Sequence, residues 1–554
     1  LPAAGRGPFL GQSLLGVELR LLKGHAAPLR RATLPLRRRL VDELRAAGFA
    51  MEANEYARAA ALLDPSTAEI PPPAAPLLST WPNRSPAIEI EATKERNEGV
   101  YHYAVAVDVE SSPFFDRLDI SMDRQGRRVR FGGGGHSGTW EVLLPTSNSP
   151  FRHYQPAVAA WGRGRVLILR VGTELFGLTP VDERGEPAAR VLWHLNTQEQ
   201  CSVPADQLRQ EITPAIPGVR EEEQRLVDPY GHIVAQVGPV TSEFLCYSEL
   251  GQLTCIDLLT KERRWTRFDL PPGALHFGDD EAVILWQPEA RRLAWLSAVD
   301  GATLGERACD LDPGTILHQS GRFVWKFTST GGRALICQDL IADAELWRLP
   351  VSRSAAARMF DPYSLGVVEA DGRLRILQPF TGIVRSETRL TNVPADIERL
   401  VVARDPEQWY LAVSERVPQQ AGLQQLQLRG GLRSPFVTGP LAAISRDSGQ
   451  VVWQTRLDRE PFSSEQPKTA SVLLQIYKSP PTDLQSGQLT DGIVKLLDKR
   501  TGATLLDHRR QSLAGYAAIS ADAPNGAVHL ALEREVVHLW YRPRPPMPPL
   551  PEAP

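Results

Sequence analysis

The chain has few cysteines and no long hydrophobic run, and each shortage excludes a kind of site or segment. Its 554 residues include five cysteines, at positions 201, 246, 255, 309 and 337, and no two of them are vicinal or form a Cys-x-x-Cys pair. The ligand spacing of zinc sites is therefore missing. No run of about 18 apolar residues, the length that spans a membrane, occurs. The sequence thus predicts no transmembrane segment.

An excess of basic charge is also missing. Lysine and arginine together number 62, against 65 aspartates and glutamates, and the net charge is -3. Nucleic-acid-binding surfaces usually carry a basic excess, so we expect no nucleic-acid partner. Local basic clusters such as 37–39 are typical of a solvated helix face.

The motifs of common catalytic sites are missing as well. The glycine run at 132–135 is followed by His-Ser-Gly, which gives neither the Lys-Ser or Lys-Thr of a phosphate loop nor the Gly-x-Ser-x-Gly of a nucleophile elbow. Eleven histidines are scattered, without a His-Glu-x-x-His motif or a close pair. We therefore predict no catalytic, cofactor-binding or metal-binding residues and interpret 132–138 as a turn between strands. A ligand set that several loops assemble in space stays an alternative.

The first pattern that the sequence does contain, near the N-terminus, is helical. Apolar residues recur at steps of three and four from Leu36 to Leu44, Gly48 ends this pattern, and an Ala- and Glu-rich stretch follows at 51–63. We interpret 1–64 as a helical hairpin that ends a longer upstream region, because one helix pair cannot bury its own apolar face. That upstream part of the polypeptide is an expected partner, and any targeting signal would lie within it.

Proline-rich segments flank the largest part of the chain. Residues 65–97 predict a linker and 543–554 a disordered tail. Between them, at 98–542, short alternating runs bounded by Gly, Asp or Pro predict strands. These strands repeat in a frame of strand, Asp, two residues, Thr-Gly, three residues and Trp. The best-preserved positions of this frame are Asp257, Trp265, Asp339, Trp347, Gly449, Trp453, Asp498 and Gly502.

Each residue type of the frame has a physical role in a repeated sheet. Thr-Gly makes the tight turn between adjacent strands, where Gly is free to take a positive φ. The Asp side chain accepts hydrogen bonds from the amides of this turn. The Trp side chain packs between neighbouring sheets as a large apolar body.

The turn of the frame occurs eight times. Its positions are 135, 188, 260, 300, 342, 381, 448 and 501, and the shortest steps are about 40 residues, the length of a four-stranded propeller blade. We therefore predict an eight-bladed β-propeller, with seven or nine blades as alternatives. The last strands, at 527–532 and 536–541, should close the ring by pairing with the blade formed between 100 and 145, because an uncovered edge invites aggregation.

The frame resembles the repeat of the quinoprotein-type, PQQ-like propellers. That superfamily includes quinone-dependent alcohol dehydrogenases and the lipoprotein propeller of the outer-membrane barrel-assembly machinery. The resemblance implies a mainly β propeller fold, and with the eight turns and the helical pattern at 1–64 we expect an eight-bladed β-propeller preceded by a short N-terminal helical hairpin. The quinone enzymes hold their cofactor under a vicinal Cys-Cys disulfide, above a Trp and beside calcium, and the Cys-Cys pair is missing from this chain. We therefore expect no cofactor.

A narrower resemblance comes from the order of the parts. Helical residues, then the Trp81-Pro82 segment, then a C-terminal propeller are similar to large repeat proteins of planctomycete bacteria. This resemblance implies no known activity.

The sequence favours a non-catalytic scaffold for protein–protein interaction. Two long insertions support this interpretation, a charged one at 197–230 and a Gln-rich one at 414–438, because long loops in compact domains are usually functional or disordered. The alternative is an enzyme or small-ligand binder that uses the central channel of the propeller. A structural component of the cell envelope is a third hypothesis.

The resemblance also implies an extracytoplasmic location, in the periplasm or cell envelope. One cysteine pair bears on it. Residues 244–257 predict a hairpin that turns at Leu250-Gly251, in which Cys246 and Cys255 oppose each other. Opposed Cβ atoms lie about 4.5–5.5 Å apart, and a disulfide needs about 3.5–4.5 Å. A disulfide between them is one interpretation, and two buried thiols that act as small apolar residues are the other.

Overall fold

The computed structural model describes most of the chain beyond residue 80. The described ranges are 81–92, 102–105, 107–108, 113–123, 126–133, 139–145, 158–182, 186–197, 209–213, 223–234, 236–241, 243–330, 332–416, 435–478, 492–510, 516–523, 525–532 and 535–543. Nearer the N-terminus only seven residues are described: Arg39, Val41, Asp42, Arg45, Ala46, Ala53 and Ala57.

Nine antiparallel sheets form a nine-bladed β-propeller. Blade 1 consists of His102–Ala104, Leu118–Asp123, Arg128–Gly133 and Thr139–Leu143; blade 2 of Val158–Arg163, Val166–Val171, Glu174–Val181 and Pro187–Asn196; and blade 3 of Val237–Val240, Phe244–Glu249, Gln252–Asp257 and Arg263–Arg267. Blade 4 consists of Leu275–Gly278, Ala282–Gln287, Arg292–Ser297 and Thr303–Ala308; blade 5 of Ile316–Ser320, Phe323–Thr328, Ala334–Asp339 and Ala344–Pro350; and blade 6 of Ala356–Asp361, Ser364–Val368, Arg373–Leu377 and Val384–Arg389.

Blades 8 and 9 differ from the others in their strand supply, because blade 8 has three described strands and blade 9 takes one strand from the N-terminal side. Blade 7 consists of Ile397–Arg404, Gln408–Glu415, Phe436–Ser445 and Val451–Pro461; blade 8 of Val472–Lys478, Gly492–Asp498 and Thr504–Arg510; and blade 9 of Tyr516–Asp522, Ala527–Leu532, Glu535–Trp540 and Ala87–Ala92. Smaller elements are the strand Val107–Asp108, which joins blade 2 in parallel, the 3-10 helices Pro113–Arg117 and Pro313–Thr315, and a separate sheet of Arg209–Thr213, Glu223–Val227 and Ile233–Val234.

The core lies between the blades. Alternating burial along strands such as Leu118–Asp123 gives each blade apolar faces. Eight buried apolar clusters fill the interfaces from blade 1 to blade 9, and each takes its side chains from two consecutive blades. Between blade 9 and blade 1 the described residues form no such cluster. Apolar packing therefore holds the ring together at these eight interfaces.

The ring closes through a strand from the N-terminal side. Ala87–Ala92 pairs antiparallel with Glu535–Trp540, from Ala87 opposite Trp540 to Ala92 opposite Glu535. The prediction that the last strands pair with residues between 100 and 145 was therefore wrong. The closing strand lies within 65–97, where the proline content predicts a linker.

This closure also explains why the predicted eight blades became nine. The eight turns of the sequence frame lie at or beside the connection between the last two described strands of each of blades 1 to 8. In blade 9 the fourth strand comes from the other end of the chain, so no turn joins it to the third. A count of these turns therefore misses the closing blade.

The helical hairpin predicted for 1–64 gains no support from the structure. Nearly all of it lies outside the described residues, and the helical elements among 81–543 are the two 3-10 helices. The tail predicted at 543–554 also lies outside the described residues, apart from its first residue.

Candidate interaction surface

The two faces of the propeller carry different connections. Because neighbouring strands are antiparallel, the first–second and third–fourth connections of the four-stranded blades lie on one face, here called the turn face. In blade 8, where three strands are described, 499–503 between the last two strands lies on this face as well. The second–third connections of the four-stranded blades and the blade-to-blade connections lie on the other face, here called the loop face. On the turn face of blades 3 to 7 the connections have two to six residues. The longest connections, 197–236 and 416–435, both join strand ends at the loop face.

Residues 197–236 contain a small sheet that docks on blade 3. The hydroxyl of Ser248 in blade 3 donates to the carbonyl of Ile233 at 3.3 Å. The amide of Gly273, which follows blade 3, donates to the carbonyl of Gly231 at 3.0 Å. The insertion predicted at 197–230 thus supplies part of a sheet held against the ring. In the second insertion, predicted at 414–438, residues 417–434 lie outside the described residues.

A buried carboxylate orders the exposed tip of this sheet. Asp228 is buried and accepts hydrogen bonds from the amides of Tyr230 and His232, both at 2.8 Å. Its second oxygen contacts Nδ1 of His232 at 3.0 Å. This turn holds Tyr230 out from the surface with 75% of its area exposed.

The exposed large aromatic side chains of the described residues lie at the loop face. Phe268, at the loop-face end of the fourth strand of blade 3, is 74% exposed, and Phe436, at the loop-face end of the third strand of blade 7, is 41% exposed. With Tyr230, these are the exposed large aromatic residues of the described part of the chain. Tyr230 and Phe268 extend from segments that the Gly273–Gly231 hydrogen bond joins. We call these two residues the aromatic patch.

The turn face is tied together by charged contacts between blades. Asp279 of blade 4 pairs with Arg322 of blade 5, with 2.7 Å between Oδ2 and Nε. Asp405 of blade 7 pairs with Lys499 of blade 8, with 3.1 Å between Oδ2 and Nζ, and both side chains are buried. Burial and the charge of Asp405 raise the pKa of Tyr410, whose hydroxyl donates to Asp405 at 2.7 Å. These side chains therefore serve contacts that hold the blades of the ring together.

The tryptophans of the repeat lie on the next blade's turn. The indole N–H groups of Trp265, Trp347 and Trp453 donate to carbonyl oxygens of the following blade, those of Ala298, Pro379 and Lys499, at 3.0, 2.7 and 2.7 Å. A Cβ added at Gly502 would lie 2.5 Å from the ring of Trp453. At Gly449 an added Cβ would lie 1.9 Å from Oγ of Ser386. Glycine is therefore needed under these side chains.

The aspartates of the repeat brace the same turns. Asp257 accepts from the amides of Leu259 and Thr260, at 3.0 and 3.1 Å, and from Arg264 at 2.9 Å. Burial tends to raise the pKa of Asp257, but the hydrogen bonds from Arg264 and the turn amides outweigh it and lower that pKa. Asp339 and Asp498 likewise accept amide hydrogen bonds from their own turns.

One interface uses a residue that the sequence frame does not contain. In blade 4 the tryptophan position is Gly305, and the ring of Trp295 lies against it. Arg307 instead donates to the carbonyl of Leu340 in blade 5, at 2.7 Å from Nη2. An arginine two residues after the expected tryptophan is the signal that would have found this contact.

The structure also brings together two histidines that belong to no sequence motif. His529 and His538 oppose each other on neighbouring strands of blade 9, with 2.6 Å between their Nδ1 atoms. Burial and the neighbouring His538 lower the pKa of His529.

The glycine run that the sequence analysis interpreted as a turn is only partly described. The residues at 132–133 lie in the strand Arg128–Gly133, and 134–138 lie outside the described residues.

The cysteines are thiols wherever they are described. Cys246, Cys255, Cys309 and Cys337 are buried, and Cys246 lies opposite Cys255 in blade 3. Cys201 lies outside the described residues. Within the described ranges, no three His, Cys, Asp or Glu side chains are placed to hold a metal ion, and no helix there is long and apolar enough to span a membrane.

Comparisons with known proteins add distant likenesses. No protein-family model matches the chain, and no curated protein matches it. Among solved structures, BamB from Moraxella catarrhalis is 13% identical over 70% of this chain and 95% of that one, with a TM-score of 0.32. Dihydro-heme d1 dehydrogenase NirN in complex with DHE is 10% identical over 81% and 84%, with a TM-score of 0.34.

A third similar structure is the WD40 domain of SCAP from fission yeast. It is 9% identical over 82% of this chain and 98% of that domain, with a TM-score of 0.31. Likeness at this level carries no argument about function. The resemblance to planctomycete repeat proteins stays a prediction.

Proposed function

We propose that the chain is a non-catalytic scaffold for protein–protein interaction and that protein partners bind its loop face at the aromatic patch, Tyr230 and Phe268. The observation that carries this proposal is the exposure of both rings, 75% and 74%, on the face that bears the longest connections. Aromatic side chains are enriched where proteins bind proteins and often dominate the binding energy.

The geometry of the patch suits binding because it is preformed. The turn of Tyr230 is fixed by Asp228, and Phe268 follows directly on a strand of blade 3. A side chain on a rigid support loses little conformational freedom when a partner covers it. An ion pair between Arg267 and Asp269 flanks Phe268 and supplies the polar rim that such interfaces have.

The turn face suits the complementary task of support. Its connections in blades 3 to 7 are short, and the charges of the buried Asp279, Asp405 and Lys499 and of the partly buried Arg322 are paired between blades. Rigid scaffolds commonly present variable loops in this way. We further propose an extracytoplasmic location, in the periplasm or cell envelope, on the resemblance of the repeat to the quinoprotein-type propellers.

Affinity purification from the native organism tests the interaction proposal. The double variant Tyr230→Ala/Phe268→Ala should lose at least about tenfold of the partner recovered with the unchanged chain, as expected for hot-spot aromatics. Val299→Ala is the matched control, because Val299 is 80% exposed but lies on the turn face of blade 4. It should recover the partner unchanged. Equal recovery with both variants would contradict the proposal.

A further inference from the structure

Cys246 and Cys255 face each other in a hairpin whose turn fixes the register. The hairpin of blade 3 turns at Leu250 and Gly251, which have φ values of 47° and 77°. Two consecutive positive φ values are typical of the type I′ turn of a two-residue hairpin. A turn of fixed length allows one pairing of the strands, and in it Cys246 lies opposite Cys255.

The two cysteines occupy a non-hydrogen-bonded pair. In a two-residue hairpin the residues that flank the turn, here Glu249 and Gln252, form a hydrogen-bonded pair. The two kinds of pair then alternate along the strands. Cys246 and Cys255 form the fourth pair from the turn and so belong to the closer kind. Opposed Cα atoms there are about 4.5 Å apart, within the range of about 4.4–6.8 Å that a disulfide spans.

The surroundings seal this pair from solvent. Both cysteines are fully buried, in an apolar cluster that includes Phe244, Leu253 and Trp265. Burial and a hydrogen bond with Cys255 raise the pKa of Cys246 well above its usual value. A buried, protonated thiol reacts slowly. Any cross-link must therefore form while the chain folds, before blade 3 packs against blade 4, and it would afterwards be inaccessible to reductants.

We propose that Cys246 and Cys255 form an intrachain disulfide bond when the protein folds in an oxidising compartment. The oxidant is a disulfide of a small thiol or of a thiol–disulfide oxidoreductase. One cysteine thiolate attacks that disulfide and releases one thiol, leaving a mixed disulfide. The second cysteine thiolate then attacks the sulfur of the first, forms the intrachain bond and releases the other thiol. The two protein thiols are oxidised, and one disulfide is reduced to two thiols.

The cross-link would brace the support of the loop face. The carbonyl of Gly251, at the hairpin turn, accepts from the amide of Leu270 at 3.0 Å. The ring of His232 lies against the same glycine, since a Cβ added at Gly251 would be 2.9 Å from its Nε2. A bond between the two strands would fix the turn on which both segments rest. The disulfide is independent of partner binding, so either proposal can fail alone.

Peptide mapping of the refolded protein tests the disulfide. The full chain is refolded in a mixture of reduced and oxidised glutathione, then unfolded with iodoacetamide present and no reductant, and digested with trypsin. Both cysteines fall in the single tryptic peptide 226–261. We expect this peptide without alkylation and two hydrogens lighter than its reduced form.

Cys309 and Cys337 supply internal controls, because both are buried, Cys337 lies opposite Trp325 and Trp347, and Cys309 directly follows the strand Thr303–Ala308. Both should be recovered fully alkylated. The oxidised protein should also melt a few degrees above the same protein refolded with reductant. Alkylation of both Cys246 and Cys255 after oxidative refolding, or a disulfide from either one to another cysteine, would overturn the proposal.

Discussion

Trp81 packs edge-on against Tyr541, with 5.3 Å between the ring centroids, so the two ends of the described propeller meet beside the closing strand. Trp81 is buried in the apolar cluster that joins blades 8 and 9. Arg500 of blade 8 donates to the carbonyl oxygens of Trp81 and, at 2.8 Å, of Pro82. The Trp-Pro segment noted in the sequence thus anchors the entry of the closing strand.

Loss of the Trp81 side chain should destabilise the whole ring. Trp81→Ala removes a buried aromatic and should lower the free energy of unfolding by about 3–5 kcal/mol. Calorimetry should show a melting temperature lower by several degrees. Asn83→Ala, at an exposed position two residues on, is the control and should melt like the unchanged protein. Similar melting of both variants would contradict the anchoring role.

The effect on stability of the contact between the repeat tryptophan and glycine can be measured separately from the effect of backbone strain. Gly502 has φ +71°, and an added Cβ would meet Trp453. Gly273 has φ +68°, with nothing within 4 Å of an added Cβ. The positive φ destabilises both alanine variants, but only Gly502→Ala also overpacks the interface between the blades. Urea unfolding should show Gly502→Ala less stable than Gly273→Ala by about 1–3 kcal/mol, and equal losses would contradict the contact.

A polar contact between blade 1 and the segment that precedes blade 8 should also matter. Asp119 of blade 1 accepts from the amides of Lys468 and Thr469, which precede blade 8, at 2.6 and 3.2 Å. Asp119→Ala leaves these donors without their acceptor and should cost about 1–3 kcal/mol. Hydrogen exchange should accelerate first at Lys468 and Thr469 and in blade 1.

Asp123→Ala is a matched control for that experiment. Asp123 lies on the same strand and accepts from Arg127, in its own turn, at 2.7 Å. Its loss should leave exchange at Lys468 and Thr469 unchanged. Equal acceleration in both variants would show that Asp119 has no special part in holding this segment against blade 1.

Stability should fall in mild acid because of His529. Its pKa is lowered by burial and by His538, with Asp522 opposing them, so below about pH 6.5 the unfolded chain takes up the proton more readily than the folded one. Stability attributable to His529 is therefore full above that pH and is lost as the pH falls. Urea midpoints at pH 7.5 and 5.5 should differ less for His529→Gln than for the unchanged protein. An unchanged difference would refute this assignment.

The sequence predicts the strands and turns that recur from blade to blade, and it misses the closing strand, which occurs once. The repeat frame recurs because every blade needs a turn and an interface, so its strands and the turn positions from 260 to 501 could be found by spacing. The closing strand Ala87–Ala92 occurs once and carries no frame. Its alternation of Ile88 and Ile90 with Glu89 and Glu91 is a strand pattern, but nothing local indicates a partner more than four hundred residues away.

The aromatic patch could not be predicted for a different reason. Tyr230 is exposed and Tyr410 is fully buried, although residue type alone predicts the same exposure for both tyrosines. Their difference comes from the small sheet docked on blade 3, whose strands at Arg209–Thr213 and Glu223–Val227 lie in a stretch that the sequence presents as a charged loop. Exposure is a property of tertiary packing, which periodicity does not report.

Site-specific photocrosslinking in living cells of the native organism tests the central claim most directly. A photoreactive amino acid is placed in turn at the positions of Tyr230, Phe268 and Val299, all of them exposed. The account predicts that the same protein partner is cross-linked from Tyr230 and from Phe268, on the loop face, and that Val299, on the turn face, yields none of it. Cross-linking of that partner from Val299 alone, or of no protein from either position of the aromatic patch, would contradict it.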